Sequence, residues 1–242
     1  MPKNHASRPA LFSLAPGYRL VLASASPRRR QFLAEWGLSF DLANPAGAEP
    51  SPRPGELPDA YTRRAALAKA HAAADLISGG QPLQYGKNII LAADTVVAVD
   101  GDILGKPRDR QDALHMLSRL SGRGHEVISA VCLLLPAGPQ TDTGATQSAD
   151  SRNAAPRPEE LVFSDTSRVF FHPWPEPVLC AYVATDEPGD KAGAYAIQGQ
   201  GAFLVDKVEG SWSTVVGLPV TQLAALLLDR GLILPSGGTG TA

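Results

Sequence analysis

The stretch "YRLVLASASPRRRQFLAEWGLSFDLAN", residues 18–44, reads as strand, helix, strand. The apolar run from Leu20 to Ala23 suits a strand, and Ser26-Pro27 marks a helix start. Phe32, Leu33 and Trp36 lie on one side of that helix, and Gly37 stops it. The alternation continues along the chain. A Pro/Gly-rich connection, 45–58, carries Glu49 and Glu56, and an Ala-rich helix follows over 58–78. "NIILAADTVVAVDG" (88–101) is an apolar strand interrupted only by Asp94 and Thr95. An amphipathic helix spans 108–122, and strands follow over 126–136 and 161–173. Residues 175–185 suit a short helix, "GAFLVDKVEG" and "WSTVVGLP" bracket a hairpin-like element, and 220–231 close the chain as a helix. Strands alternating with helices predict an α/β fold around a mostly buried sheet. Residues 1–17 read as a flexible extension, 18–234 as one domain, and 235–242 as a flexible tail. Within the domain, 137–160 are rich in Thr, Ser, Ala, Pro, Gly and Asp and read as a long mobile or disordered insertion.

At 44% hydrophobic and 19% charged, the 242-residue chain is long enough to bury a core without a disulfide or metal staple. Its formal charge of −2 argues against a general nucleic-acid binder, so any anion recognition must be local. Cys132 and Cys180 sit in apolar surroundings without a CxxC partner and read as buried, reduced thiols. No apolar run reaches the roughly 18 residues of a membrane span, which points to the cytoplasm.

Two glycine-rich stretches are set aside. "GQPLQYGKN" (80–88) has five residues between its glycines where a P-loop has four, and "GQGAFL" (199–204) lacks the third Gly of a dinucleotide fingerprint. The five histidines show no metal-ligand spacing, and there is no GxSxG elbow.

Three stretches remain. Arg28, Arg29 and Arg30 crowd the positive end of a helix dipole, at a cost of ~0.3–1 kcal/mol each when exposed. They make sense if that helix start, with Ser24 and Ser26 ahead of it, receives an anion of high charge. Asp94 lies inside an otherwise buried strand, so it must meet a cation or a cleft. The Asp100-Gly101 turn folds "DILGKP" back beside that strand and brings Lys106 to the same rim. "DKAGAYAIQGQGA" (190–202) allows close backbone approach, with Lys191 suited to phosphate or a carboxylate and the Gln198 amide suited to a base edge.

"LASASPRRRQFL", "ADTVVAVDGDILGKPRD", "DEPGDKAGAYAIQGQGA" and "VVGLPV", in this order, resemble the Maf family of nucleoside triphosphate pyrophosphatases. The resemblance covers residues 18–234 apart from 137–160. It implies an elongated mixed α/β sheet flanked by helices, two lobes with a central cleft, and a homodimer. It implies hydrolysis of a nucleoside triphosphate to monophosphate and pyrophosphate with a divalent metal, Mg²⁺ or Mn²⁺. By position Asp94 matches the family's general base, and Lys69 and Lys106 join it as catalytic residues. Ser24, Arg28, Arg29, Thr95, Lys191 and Gln198 fall on the substrate, with Glu49 and Asp94 on the metal. Arg28, Thr95 and Gln198 match the branch that acts on dTTP and UTP. Ala196 stands where the family usually has Gly, and "GAEP" replaces a more acidic run before Glu49. The other expectation is a nucleotide-binding regulator of cell division without essential catalysis.

Overall fold

The computed structural model describes residues 9–47, 49–79, 88–136 and 158–237. The Gly80–Asn88 decoy, apart from Asn88, most of the insertion and the two chain ends lie outside the described residues.

The first strand, β1 (Phe12–Leu14), precedes β2 (Arg19–Ala23), helix α1 (Pro27–Glu35) and β3 (Phe40–Leu42). Helix α2 (Pro58–Ser78), strand β4 (Asn88–Val99) and strand β5 (Asp102–Leu104) follow, then α3 (Arg110–Leu120) and β6 (Gly124–Leu135). Strand β7 (Glu159–Phe171) and helix α4 (Glu176–Val183) lead into three short 3-10 turns between Glu187 and Leu204. Strand β8 (Val205–Glu209), helices α5 (Trp212–Val216) and α6 (Val220–Asp229), and β9 (Ile233–Pro235) complete the chain. The main sheet runs β3-β2-β4-β6-β7-β8, with β5 added to β4. β2 is parallel to both β3 and β4, and the remaining pairs are antiparallel. The alternating pattern predicts an α/β fold around a mostly buried sheet, and the mixed sheet flanked by helices is what the family resemblance implies.

β4 organises the molecule. One edge pairs with β6 from Ile90 to Ala98. The opposite edge pairs first with β2, up to Ala92, and then with β5, from Val97. Residues 93–96 therefore have no strand on that edge among the described residues, and a gap opens at the carboxyl end of β2. Because side chains alternate, Ile90, Ala92, Val96 and Ala98 pack beneath α2, against Tyr61, Ala65, Ala66, Ala70 and Ala73. Methyl-sized side chains let the long helix lie close to the sheet. Leu91 and Ala93 face a core shared with α1 and α6, and Val97 and Val99 face a second core shared with α3 and α4. Between these two cores a polar row, Thr95, Ser129 and Asp165, crosses three adjacent strands in register. Asp94 interrupts the α2 face at the same level. Both faces thus turn polar at the gap, and two apolar lobes meet there.

Several expectations change. Residues 12–14, read as part of a flexible extension, form β1 paired with β9, which begins before and ends within the expected tail boundary at 235. The physical reason is alternation: Phe12 and Leu14 lean on the α1 core, and Phe12 meets Trp36 edge to face at 5.7 Å. Glu159 and Glu160, placed in the insertion, belong to β7, where Glu159 pairs with Arg230 at 2.7 Å. The hairpin is absent, because residues 212–216 are helical, with Ser211 Oγ accepting the Thr214 N–H. Cys132 is buried as expected, and burial pushes its thiol pKa up to about 12. Cys180 is exposed, because α4 turns Leu179, Tyr182 and Val183 inward and leaves position 180 outside.

Candidate active site

The gap beside β4 gathers the charged residues. Asp94 is 4% exposed. Lys69 reaches it from the sheet-facing stripe of α2, donating to Asp94 Oδ1 and pairing with Glu49 Oε2 at 3.0 Å. Asp94 Oδ2 is buried and has no hydrogen-bond partner among the described residues. Burial acts to raise the Glu49 pKa, but Lys69, by charge and hydrogen bond, together with Lys106 and Arg29, draws it below the usual range. Lys106 is exposed two residues past β5, close enough for its charge to act on Glu49. The hairpin turn thus brings Lys106 and the Asp94 neighbourhood to one rim.

The other face of the gap holds Arg29. Its guanidinium is buried and donates to four acceptors: Gly217 O at 2.8 Å, Ala93 O at 2.8 Å, Ser24 Oγ at 3.1 Å and Thr95 Oγ1 at 2.9 Å. Burial lowers its pKa against the pull of Asp94. The Ala93 carbonyl is one that a neighbouring strand would otherwise satisfy. Ser26 occupies the N-cap of α1 without a side-chain capping bond; instead Ser24 Oγ accepts the Ser26 N–H at 3.2 Å. The first amides of α1 therefore stay open toward the gap.

Arg28 and Lys191 approach from the third side. Lys191 donates to Asp190, which lowers the Asp190 pKa by hydrogen bond and charge, and the Arg28 charge adds to this. The Gly193 N–H donates to Gly105 O at 3.0 Å, tying this loop to the residue before Lys106. Gln198 is half-buried in the next turn. That turn is clamped by Glu187, whose carboxylate accepts the N–H groups of Gln200 (3.1 Å) and Gly201 (2.8 Å). Tyr182 supports it from below, its hydroxyl accepting the Ala196 N–H at 3.2 Å.

The structure thus brings Ser24, Arg28, Arg29, Glu49, Lys69, Asp94, Thr95, Lys106 and Lys191 around one gap, with Gln198 on the adjoining loop. Five cations face three carboxylates there (Glu49, Asp94, Asp190), so a chain of slight negative charge is locally positive. Arg29 and Thr95 bond to protein groups. Ser129, Gly217 and Glu187 are site residues that sequence reasoning missed. Ser129 carried a signal, as the one hydroxyl in the apolar run "VISAVCLLL".

The architecture is that of an α/β protein with a cationic, carboxylate-bearing cleft at the edge of a mixed sheet. A family model described as Maf-like protein matches residues 19–230, and the chain belongs to the Maf family. It is 49% identical over 214 residues to a dTTP/UTP pyrophosphatase of Nitratidesulfovibrio vulgaris, covering 88% of this chain and 89% of that one. A dTTP/UTP pyrophosphatase of Oleidesulfovibrio alaskensis is 44% identical over 218 residues, covering 90% of this chain and 88% of that one. Among solved structures, the Staphylococcus aureus Ham1 protein aligns with a TM-score of 0.46 at 14% identity, covering 88% of this chain and 99% of that one. Among the described residues no helix is long and apolar enough to cross a membrane.

Proposed function

We propose that this protein hydrolyses dTTP and UTP to the nucleoside monophosphate and pyrophosphate. The observation that carries the reading is Asp94. It is a buried carboxylate with Oδ1 held by Lys69 and Oδ2 left without a partner, facing a gap ringed by cations. The names of relatives 44–49% identical over most of the chain support the choice of reaction and nucleotide.

The donor set fits a hard divalent ion. Among the described residues no group of three His, Cys, Asp or Glu side chains is placed to hold a metal. Glu49 directly, and Asp94 through a water, would hold Mg²⁺ or Mn²⁺, hard ions that take oxygen donors. When bound, such an ion supplies charge neutralisation on the phosphate oxygens. The protein's part is positioning and proton transfer. Arg28, Lys106 and Lys191 hold the triphosphate, with the open amides of α1. Ser24 Oγ already accepts twice, so its own proton is free to donate to a phosphate oxygen. Asp94 Oδ2 takes a proton from the water that attacks the α-phosphorus. The new bond is from water oxygen to phosphorus; the α–β anhydride bond breaks, and pyrophosphate leaves against the cations. Lys69 holds Asp94 in place and leaves Oδ2 as its accepting atom. Gln198 meets the pyrimidine on its clamped turn. The reaction belongs to the cytoplasm, and the resemblance adds a homodimer, which light scattering of the purified protein would test.

Mixing the protein with dTTP and Mg²⁺ is expected to yield dTMP and pyrophosphate in equal amounts without orthophosphate. In Asp94→Asn, kcat is expected to fall about 10²–10⁴-fold, with the Kd for dTTP within about threefold of wild type. Near-normal turnover would remove Asp94 as the base, and binding without pyrophosphate release by the wild type would leave a nucleotide sensor.

A further inference from the structure

The sequence places Arg29 beside Arg28 in the same arginine run, yet the two side chains have different surroundings. A guanidinium has five N–H donors and no acceptor. Four of the five in Arg29 are committed: Nε to Gly217 O, Nη1 to Ala93 O and Ser24 Oγ, and Nη2 to Thr95 Oγ1. These acceptors come from the end of β2, from β4 and from the turn after α5. Arg28 is half-buried, has no ion pair among the described residues, and lies near Asp190.

The hydroxyls next to Arg29 can be assigned a direction. Ser129 Oγ lies 2.7 Å from Thr214 O, a carbonyl that only accepts, so the Ser129 proton goes there. Ser129 Oγ also lies 2.8 Å from Thr95 Oγ1, and with its own proton committed it accepts from Thr95. Gly217 O also lies 3.4 Å from Thr95 Oγ1, but the 2.8 Å contact with Ser129 needs a proton that Ser129 has already given away, so the Thr95 proton is used there, and Thr95 Oγ1 accepts from Arg29 Nη2. The chain runs one way, from guanidinium to carbonyl, and leaves Thr95 no proton for a substrate.

We propose that Arg29 is a positioning residue rather than a phosphate ligand, locked by a one-way hydroxyl chain whose direction Ser129 sets. It fills the β4 edge between the end of β2 and the start of the β5 pairing, and so fixes Asp94, the next residue after Ala93. Thr95 then influences base choice through Arg29 and the Gly217 turn, without donating to the base. This deepens the pyrophosphatase reading and rests on it for its kinetic half.

The test compares Arg28→Met, Arg29→Lys and Ser129→Ala with wild type. It measures kcat and KM for dTTP with Mg²⁺, and the calorimetric Kd for inorganic pyrophosphate with Mg²⁺. Arg28→Met is expected to raise the pyrophosphate Kd at least tenfold. Arg29→Lys and Ser129→Ala are expected to lower kcat at least tenfold and threefold respectively, with that Kd within threefold of wild type. Ser129→Ala keeps the Arg29 charge, so it decides the matter even if Arg29→Lys folds poorly. An unchanged kcat in Ser129→Ala, or a pyrophosphate Kd raised as much in Arg29→Lys as in Arg28→Met, would overturn the proposal. If wild-type protein releases no pyrophosphate, the hydrolytic reading fails, and the pyrophosphate Kd values alone still decide where Arg29 acts.

Discussion

Among the described residues Lys69 is the sole cation bonded to Asp94, and it crosses the apolar α2 interface to get there. Lys69→Met would leave a buried carboxylate without its partner, which costs about 3–5 kcal/mol. Urea unfolding at neutral pH in the presence of EDTA is expected to show that loss, and a loss under 1 kcal/mol would mean that water enters the gap freely. His125 gives a second residue-scale expectation. It is buried, it shares a 2.9 Å hydrogen bond with Tyr195 OH, and burial lowers its pKa from 6.5 to about 4. Below pH 6.5 the unfolded chain takes up this proton while the folded protein resists it, so stability falls as pH drops toward 4 and the effect levels off below that. The span corresponds to on the order of 3 kcal/mol. His125→Phe should flatten the difference between pH 7 and pH 4 by about that amount, measured by chemical denaturation. Much of this scale was legible. A lone Asp in a buried strand asks for a cation, and the family pattern named Lys69. The direction of Arg29 was less so, because consecutive helical residues point about 100° apart and the phase decides which turns inward. Leu33, four residues on and fully buried, shares the Arg29 face, and that spacing was the available clue.

At the scale of elements, the loop of 3-10 turns holds conformations that its sequence does not advertise. Gly199 has φ +89°, and a Cβ there would sit 2.2 Å from Glu187 Oε1. Gly199→Ala is therefore expected to dislodge the Glu187 clamp, costing about 1–3 kcal/mol and raising KM for dTTP, because Gln198 sits one residue earlier. Unchanged thermal midpoint and KM would show that the turn relaxes without consequence. Helices and long strands were readable from periodicity, since their cores are contiguous in sequence. Short elements were not. β1 has three residues and acquires its partner from the far end of the chain. The α5 segment "WSTVV" carries strand-favouring residues, and beside the local Ser211 cap a tertiary bond decides it: Thr214 Oγ1 donates to Asp165 at 2.5 Å. Such pairings depend on residues about 50 to 220 positions away, which local propensity cannot weigh.

At the scale of the molecule, the two cores on one face of the sheet have separate memberships. Leu223 belongs to the core of α1 and α6, and Leu117 to that of α3 and α4; both are fully buried. Each Leu→Ala change should cost about 2–5 kcal/mol, and the double variant should equal the sum to within about 0.5 kcal/mol. A larger discrepancy in denaturant titrations would mean that the lobes are coupled through the sheet. If additivity holds, the row of Thr95, Ser129 and Asp165 works as a firebreak. Either oily compartment can be refilled over generations without retuning the other. The narrow strip between them, with every proton spoken for, has no such freedom.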